Sequence, residues 1–252
     1  VSPRRYGPAF RTAAAIVRPF LRLSTRREWR GAEHLLRAAG FVVCPNHISH
    51  VDPFTLAEFL YDNGCPPRFL GKEAVFRIPV LGRLVAATGQ IPVYRESADA
   101  GRALAAAVAG VADGECVVIY PEATLTRDPD LWPMVGKTGA ARVALTTGCV
   151  VVPVAQWGPQ DILAPYARRP RLLPPKRVAV LAGPPVDLSR FADRPLDAAT
   201  LREATDAILD AVADLLVQLR GQDRPARRWD PREHGQPRTG DPNRGRRDSR
   251  EA

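Results

Sequence analysis

Short apolar runs rich in β-branched residues alternate along this chain with stretches in which apolar residues return every three or four positions. The first pattern suits strands packed on both faces, and the second suits helices with one buried stripe. Strands are expected at Phe41 to Cys44, Arg68 to Leu70, Ile91 to Tyr94, Cys116 to Tyr120, Val150 to Ala155 and Arg177 to Leu181. Helices are expected near Pro53 to Tyr61, Pro79 to Ala87, Ala100 to Ala112 and Thr138 to Thr147, with a last one from Ala198 to Leu219. Such alternation predicts the α/β class: a single domain with a mixed, largely parallel β-sheet flanked by helices.

The two ends depart from the pattern. From Pro8 to Leu23, Phe10, Ile16, Val17, Phe20, Leu21 and Leu23 are interleaved with Arg11, Arg18 and Arg22, and Pro19 is expected to kink the segment. This N-terminal amphipathic helical segment either lies among lipid headgroups with its arginines on anionic lipid, or packs on the domain with a solvated arginine face. From Gly221 onward Pro, Gly, Arg and Asp dominate, which reads as disorder. The expected organisation is therefore 1–26 as a basic amphipathic segment, 27–220 as the folded domain and 221–252 as a disordered basic tail. No internal repeat is found.

Composition narrows the function classes only modestly. With 252 residues and a 45% apolar share the chain can fill one sizeable core. The 36 Lys and Arg against 27 Asp and Glu give a net charge of +9, which favours anionic partners without choosing among them. No uninterrupted apolar run approaches the roughly 18 residues of a membrane span, and no signal-peptide order is present, so a peripheral membrane association without a transmembrane helix is expected. Cys44, Cys65, Cys116 and Cys149 are scattered, form no C-x-x-C pair and read as packing residues in a reduced compartment.

Chemistry concentrates in Cys44-Pro45-Asn46-His47-Ile48-Ser49-His50-Val51-Asp52-Pro53, between an expected strand and an expected helix. On one continuous helix His47 and Asp52 would diverge by about 140°, so a loop must bring them together. Asp is a favoured helix N-cap and Pro a favoured first helical residue, which places Asp52 at a helix start. There it can accept the Nδ1 proton of His47, fix the tautomer and leave Nε2 as a base. This is the base-and-orienter half of a Ser-His-Asp arrangement, with a substrate hydroxyl in place of the protein nucleophile. His50 does not make a metal site, because no further ligands surround it in the sequence. A Ser49 nucleophile would need a G-x-S-x-G turn that is absent.

Asn46, His47, Ser49 and Asp52 match N-H-x-S-x-x-D, and here the chain resembles the glycerolipid acyltransferase family, PlsC-like, that includes the 1-acylglycerol-3-phosphate acyltransferases. Gly89-Gln90-Ile91-Pro92-Val93-Tyr94-Arg95 is similar to its second motif, Tyr120-Pro121-Glu122-Ala123-Thr124-Leu125-Thr126-Arg127 to its third, and Val151-Val152-Pro153-Val154 to its fourth. The resemblance covers roughly Arg27 to Arg220. Ala123 stands where the third motif carries Gly, a position suited to positive φ or close substrate approach, and alanine fits it readily only at negative φ.

The resemblance implies His47 and Asp52 as catalytic residues and Arg95, Glu122, Thr124 and Arg127 as substrate-binding residues. Arg95 and Arg127 can grip a phosphate bidentately, and Lys72 can add a point charge. Glu122 is expected to bond an acceptor hydroxyl or to hold Arg127. Asn46 and Ser49 shape the loop, while Trp132 and Met134 read as packing. The implied reaction needs no cofactor and no metal. Acyl-CoA or acyl carrier protein gives up its acyl group to the free hydroxyl of 1-acylglycerol-3-phosphate at the cytoplasmic face of the cell membrane, with an anionic membrane surface as partner and no nucleic acid. Another lysophospholipid, glycerol 3-phosphate or a glycolipid is the alternative acceptor. A non-catalytic basic peripheral membrane-binding protein and a hydrolase remain as rivals of other classes.

Overall fold

The computed structural model describes residues 6–35, 39–77, 79, 81–93, 97–237 and 241. Helix α1 (Pro8–Ser24) runs straight into strand β1 (Thr25–Arg30); β2 (Phe41–Pro45) and α2 (Asp52–Asp62) follow. Next come β3 (Pro67–Lys72), α3 (Glu73–Phe76), α4 (Leu81–Ala87), β4 (Ile91–Val93), α5 (Ser97–Ala112) and β5 (Cys116–Val118). The chain continues through α6 (Gly139–Thr147), β6 (Val150–Trp157), α7 (Pro159–Ile162), β7 (Lys176–Ala182) and α8 (Ala198–Arg220). The seven described strands form one sheet in the order β1-β7-β6-β2-β5-β3-β4, parallel except for the β6–β7 pair. That is the mixed, largely parallel α/β sheet expected from the pattern.

Side chains alternate between the two faces of each strand. Val42, Cys44, Val117 and Val151 point into one layer, filled by α5, α6 and α8 through Ala103, Ala107, Ala140, Val143, Ala204 and Ile208. Phe41, Val43, Cys116, Val118, Val152 and Val154 point into the other, where α2 supplies Leu56, Phe59 and Leu60. The central strands β2, β5 and β6 are buried on both faces, which is why they read as continuous apolar runs. Strand β2 lies at the centre with α2 leaving on one side, while the chain from β5 through α6 to β6 crosses over it. This reversal of direction puts the switch point of the sheet beyond the carboxyl ends of the strands, the place where open α/β sheets hold ligands in a crevice.

Two local expectations are corrected. Strand β1, Thr-Arg-Arg-Glu-Trp-Arg, carries four charges in six residues and shows no strand pattern, yet it pairs in parallel with β7 at the sheet edge, where Arg177 bridges Glu28 at 2.6 Å. Edge strands tolerate and favour such charge. Helix α1 continues through Pro19 to Ser24. Residues 221–237, read as the start of a disordered tail, lie against α8: Arg224 meets Asp210 and Asp214, Arg228 meets Asp206 and Asp210, and the Trp229 carbonyl accepts from the Val135 amide. Asp206, Asp210 and Asp214 form an i, i+4, i+8 row on α8 that tail composition alone does not reveal.

Gly158, between β6 and α7, has φ +109°, and a Cβ there would stand 1.9 Å from the Arg177 carbonyl oxygen of β7. Gly158→Ala should therefore destabilise the fold by about 2–4 kcal/mol, read as a lower midpoint in urea unfolding.

Candidate active site

Strand β2 ends at Pro45 and delivers Asn46 and His47 to the crevice; β5, its neighbour, delivers the segment from Tyr120 to Arg127 beside them. The two sequence blocks meet through backbone bonds. The His47 carbonyl accepts from the Thr126 amide at 2.7 Å, and the His47 amide donates to Glu122 Oε1 at 3.0 Å. His47 is thus gripped by the second loop on both sides of its peptide.

His47 Nδ1 lies 3.0 Å from Asp52 Oδ2, and the same oxygen accepts the amides of Ile48 at 2.6 Å and Ser49 at 2.8 Å. Asp52 is the first residue of α2, with Val51 before it as cap. The expected capping carboxylate is instead turned back into the loop that precedes the helix. The imidazole side chain is 15% exposed and the Asp52 side chain fully buried, so only the histidine reaches the crevice. The Tyr120 ring packs on the imidazole with centroids 4.2 Å apart. Burial drives the Tyr120 phenol well above its ordinary pKa, and Asp52 and Gln156 are its electrostatic neighbours.

Glu122 is buried, and Oε2 accepts the Met134 amide at 3.0 Å while Oε1 takes that of His47. Burial pushes its carboxyl up to about 8, against the lowering effect of those two amides. Each oxygen bonds a backbone amide, so in this structure the residue clamps two loops together. Stability contributed by this protonated group is fully present below its unfolded pKa and is lost as pH rises through about 8.

Thr124 and Arg127 are buried in the same loop. Asn46 exchanges two hydrogen bonds with the Gln156 backbone, and Ser49 Oγ donates to the Leu163 carbonyl at 2.7 Å while accepting the Val51 amide. Both therefore shape the loop. Lys72 closes β3, and its side chain lies outside the described residues, as does Arg95 entirely. Trp132 and Met134 are buried, and Arg220 stacks between Trp132 and Trp157 at 4.1 and 4.3 Å from the ring centroids. Among the described residues no group of three or more His, Cys, Asp or Glu side chains could hold a metal ion.

Sequence reasoning gave Tyr120 and Thr126 no role of their own and missed Gln156. The last carried a signal, a glutamine among the apolar residues of β6, because a buried amide in a core strand is there to bond something.

A histidine oriented by a buried aspartate thus stands at the carboxyl edge of a mostly parallel sheet. Residues 26–157 match the family described as Acyltransferase, and the chain belongs to that family. It is 32% identical over 123 residues to the 1-acyl-sn-glycerol-3-phosphate acyltransferase BAT2, chloroplastic, of Brassica napus, covering 48% of this chain and 34% of that protein. It is 30% identical over 123 residues to LPAT1, chloroplastic, of Arabidopsis thaliana, of the same description, covering 48% and 33%. The chain thus spans about a third of the length of these curated relatives. Its fold is like that of the crystal structure of the 1-acyl-sn-glycerophosphate (LPA) acyltransferase PlsC from Thermotoga maritima, with a TM-score of 0.61, 21% identity and 85% of each chain covered.

Ala123, where the related motif has Gly, adopts φ +57° with its amide bonded to the Tyr120 carbonyl, and its methyl faces outward. The left-handed conformation costs an alanine roughly 1–2 kcal/mol, part of which a glycine would return as chain entropy. Ala123→Gly should therefore stabilise the protein by about 0.5–1 kcal/mol, measurable by chemical denaturation.

Proposed function

We propose that this protein moves an acyl group from acyl-CoA or acyl carrier protein to the free hydroxyl of 1-acylglycerol-3-phosphate, giving phosphatidate. The observation that carries the reading is the 3.0 Å contact of His47 Nδ1 with a buried Asp52 oxygen already held by two amides. Nδ1 is committed to the carboxylate, so Nε2 is the base. It takes the acceptor hydroxyl proton as the oxygen attacks the thioester carbonyl, and a tetrahedral oxyanion forms. The carbon–sulfur bond then breaks and the imidazolium returns the proton to the departing thiolate. In this reading Arg127, one residue from the Thr126 amide that grips His47, binds the acceptor phosphate, with Arg95 and Lys72 as further cations and Thr124 in the same loop. The reading uses no cofactor and no metal.

The acceptor is a membrane lipid, and α1 suits a membrane surface. No described helix is long and apolar enough to cross a membrane. On one side of α1 Arg18 approaches the buried Glu58 carboxylate of α2, as do the half-exposed Arg22 and, from β1, Arg27, and Arg18 and Arg27 also approach Asp62. Thr12, Ala15, Ile16, Pro19, Phe20 and Leu23 form the exposed stripe, with Ile16 53%, Phe20 67% and Leu23 71% accessible. Burying such side chains in lipid is worth about 1.5–3 kcal/mol each, against about 1 kcal/mol for each basic residue near an anionic surface. Apolar insertion is therefore the larger attraction, with Arg11 and Arg26 exposed beside it. This supports peripheral attachment to a membrane surface, which in our reading is the cytoplasmic face of the cell membrane.

His47→Ala should lower the transfer rate by at least about a hundredfold while leaving the unfolding midpoint near that of the parent. The assay is thiol release from acyl-CoA with and without 1-acylglycerol-3-phosphate. Release independent of the lysolipid would mean hydrolysis, and near-normal turnover in the variant would reject the base assignment. Phe20→Asp combined with Leu23→Asp should cut sedimentation with phosphatidylglycerol-containing vesicles at least about tenfold. Undiminished binding would exclude the α1 stripe as the contact.

A further inference from the structure

The loop from His47 to Asp52 is bracketed by two residues, Asn46 before it and Thr55 in the first turn of α2 behind it, and both are tied to Gln156 at the end of β6. Asn46 Oδ1 accepts the Gln156 amide at 2.7 Å, and Asn46 Nδ2 donates to the Gln156 carbonyl at 3.1 Å. This pair carries the β2–β6 pairing one residue beyond Pro45↔Val154, to the point where the chain turns to present His47. The Gln156 side chain reaches the other end of the loop: Thr55 Oγ1 donates to Gln156 Oε1 at 2.7 Å and stands 3.1 Å from the Asp52 carbonyl oxygen. Gln156, Asn46, Thr55 and Asp52 are all buried, so these bonds lie where water competes least.

We propose that Gln156 is a positioning residue of the site, one that fixes the separation of His47 and Asp52 by holding both ends of the intervening loop to the same strand. This rests on the acyl-transfer reading for its kinetic consequence and on geometry alone for its structural one. Backbone bonds hold the Asn46 end, so a side-chain change at 156 frees only the α2 end. Asp52 is the first residue of that helix, and a shift of its first turn moves the carboxylate against a histidine whose backbone is held by Glu122 and Thr126. The buried environment around the link is polar: Asp52 Oδ1 is buried without a hydrogen-bond partner among the described residues, and the Gln156 side chain also meets the hydroxyl of Tyr120, whose ring packs on His47. An apolar side chain at 156 removes that contact as well as the tie to Thr55. Packing alone would be served equally well by leucine.

The test is a double-mutant cycle on Gln156→Leu and Thr55→Val, two near-isosteric changes that leave every backbone bond in place. Each single variant should lower kcat by about 10-fold to 100-fold with KM for acyl-CoA and for the lysolipid unchanged, and the double variant should be no worse than the poorer single one. The proton NMR signal of His47 Nδ1–H, sharp in the parent, should broaden through solvent exchange in all three. Losses that multiply, kcat within twofold of the parent, or an unchanged Nδ1–H signal would overturn the proposal. Should Gln156→Leu fail to fold, Thr55→Val, which exchanges a hydroxyl for a methyl, decides the same point. The NMR arm needs no turnover, so a parent protein without transferase activity would refute the function and leave the positioning role to be judged by the signal.

Discussion

A carboxylate taken fully out of water is the constraint around which the crevice is organised. Burying an ion costs several kcal/mol unless its lone pairs are met, and Asp52 meets the requirement with one oxygen shared by two amides and an imidazole. The Ile48 and Ser49 amides can both reach that oxygen only if the chain between β2 and α2 curls around it. The start of α2 then sets the positive end of a helix dipole beside it. The histidine is a consequence of this arrangement as much as a participant in it, since the carboxylate dictates which ring nitrogen faces inward.

The second carboxyl in the crevice follows opposite rules. Glu122 also receives two amides, yet they are divided between its two oxygens, and burial holds its proton on up to about pH 8. Near neutrality one acid is thus placed as the oriented partner of the histidine, and the other is a largely neutral clamp between loops. The clamp explains why the segment from Tyr120 to Arg127 tracks His47 so closely. Its rear is closed off by Trp132, whose carbonyl accepts from Thr126 and whose ring meets Arg220 at the end of α8, beyond the residues that match the family.

The legible parts of this molecule were those whose cause is local. Central strands are apolar on both faces and announce themselves; the His47 and Asp52 pair sits between a strand signal and a helix signal that together specify a loop. What escaped depends on partners distant in sequence. Strand β1 looks like a charged linker until Arg177 of β7 answers Glu28. The segment after Gly221 looks unstructured until the aspartate row of α8 is set beside it. Asp52 was placed at the helix start correctly but one residue too early, because its side chain serves the preceding loop and not the helix. Ala123 stands at a position suited to positive φ, and the turn geometry of the loop holds it there against the residue's own preference.

The same dependence on partners explains the N-terminal helix. Its sequence has an apolar face and a basic one, and amphipathicity alone leaves undecided which of them turns inward. Glu58 decides it: an acid buried in α2 demands cations, and Arg18, Arg22 and Arg27 are the ones that supply them. Burial still holds the Glu58 carboxyl above its ordinary range, against the pull of those arginines, so the acid remains dependent on the cations around it. The apolar stripe is turned outward by an electrostatic requirement on the far side of the helix, and the helix that bears it rests on α2, whose first residue orients the histidine. The exposed apolar stripe and the carboxylate that orients the histidine are therefore carried on one packed pair of helices.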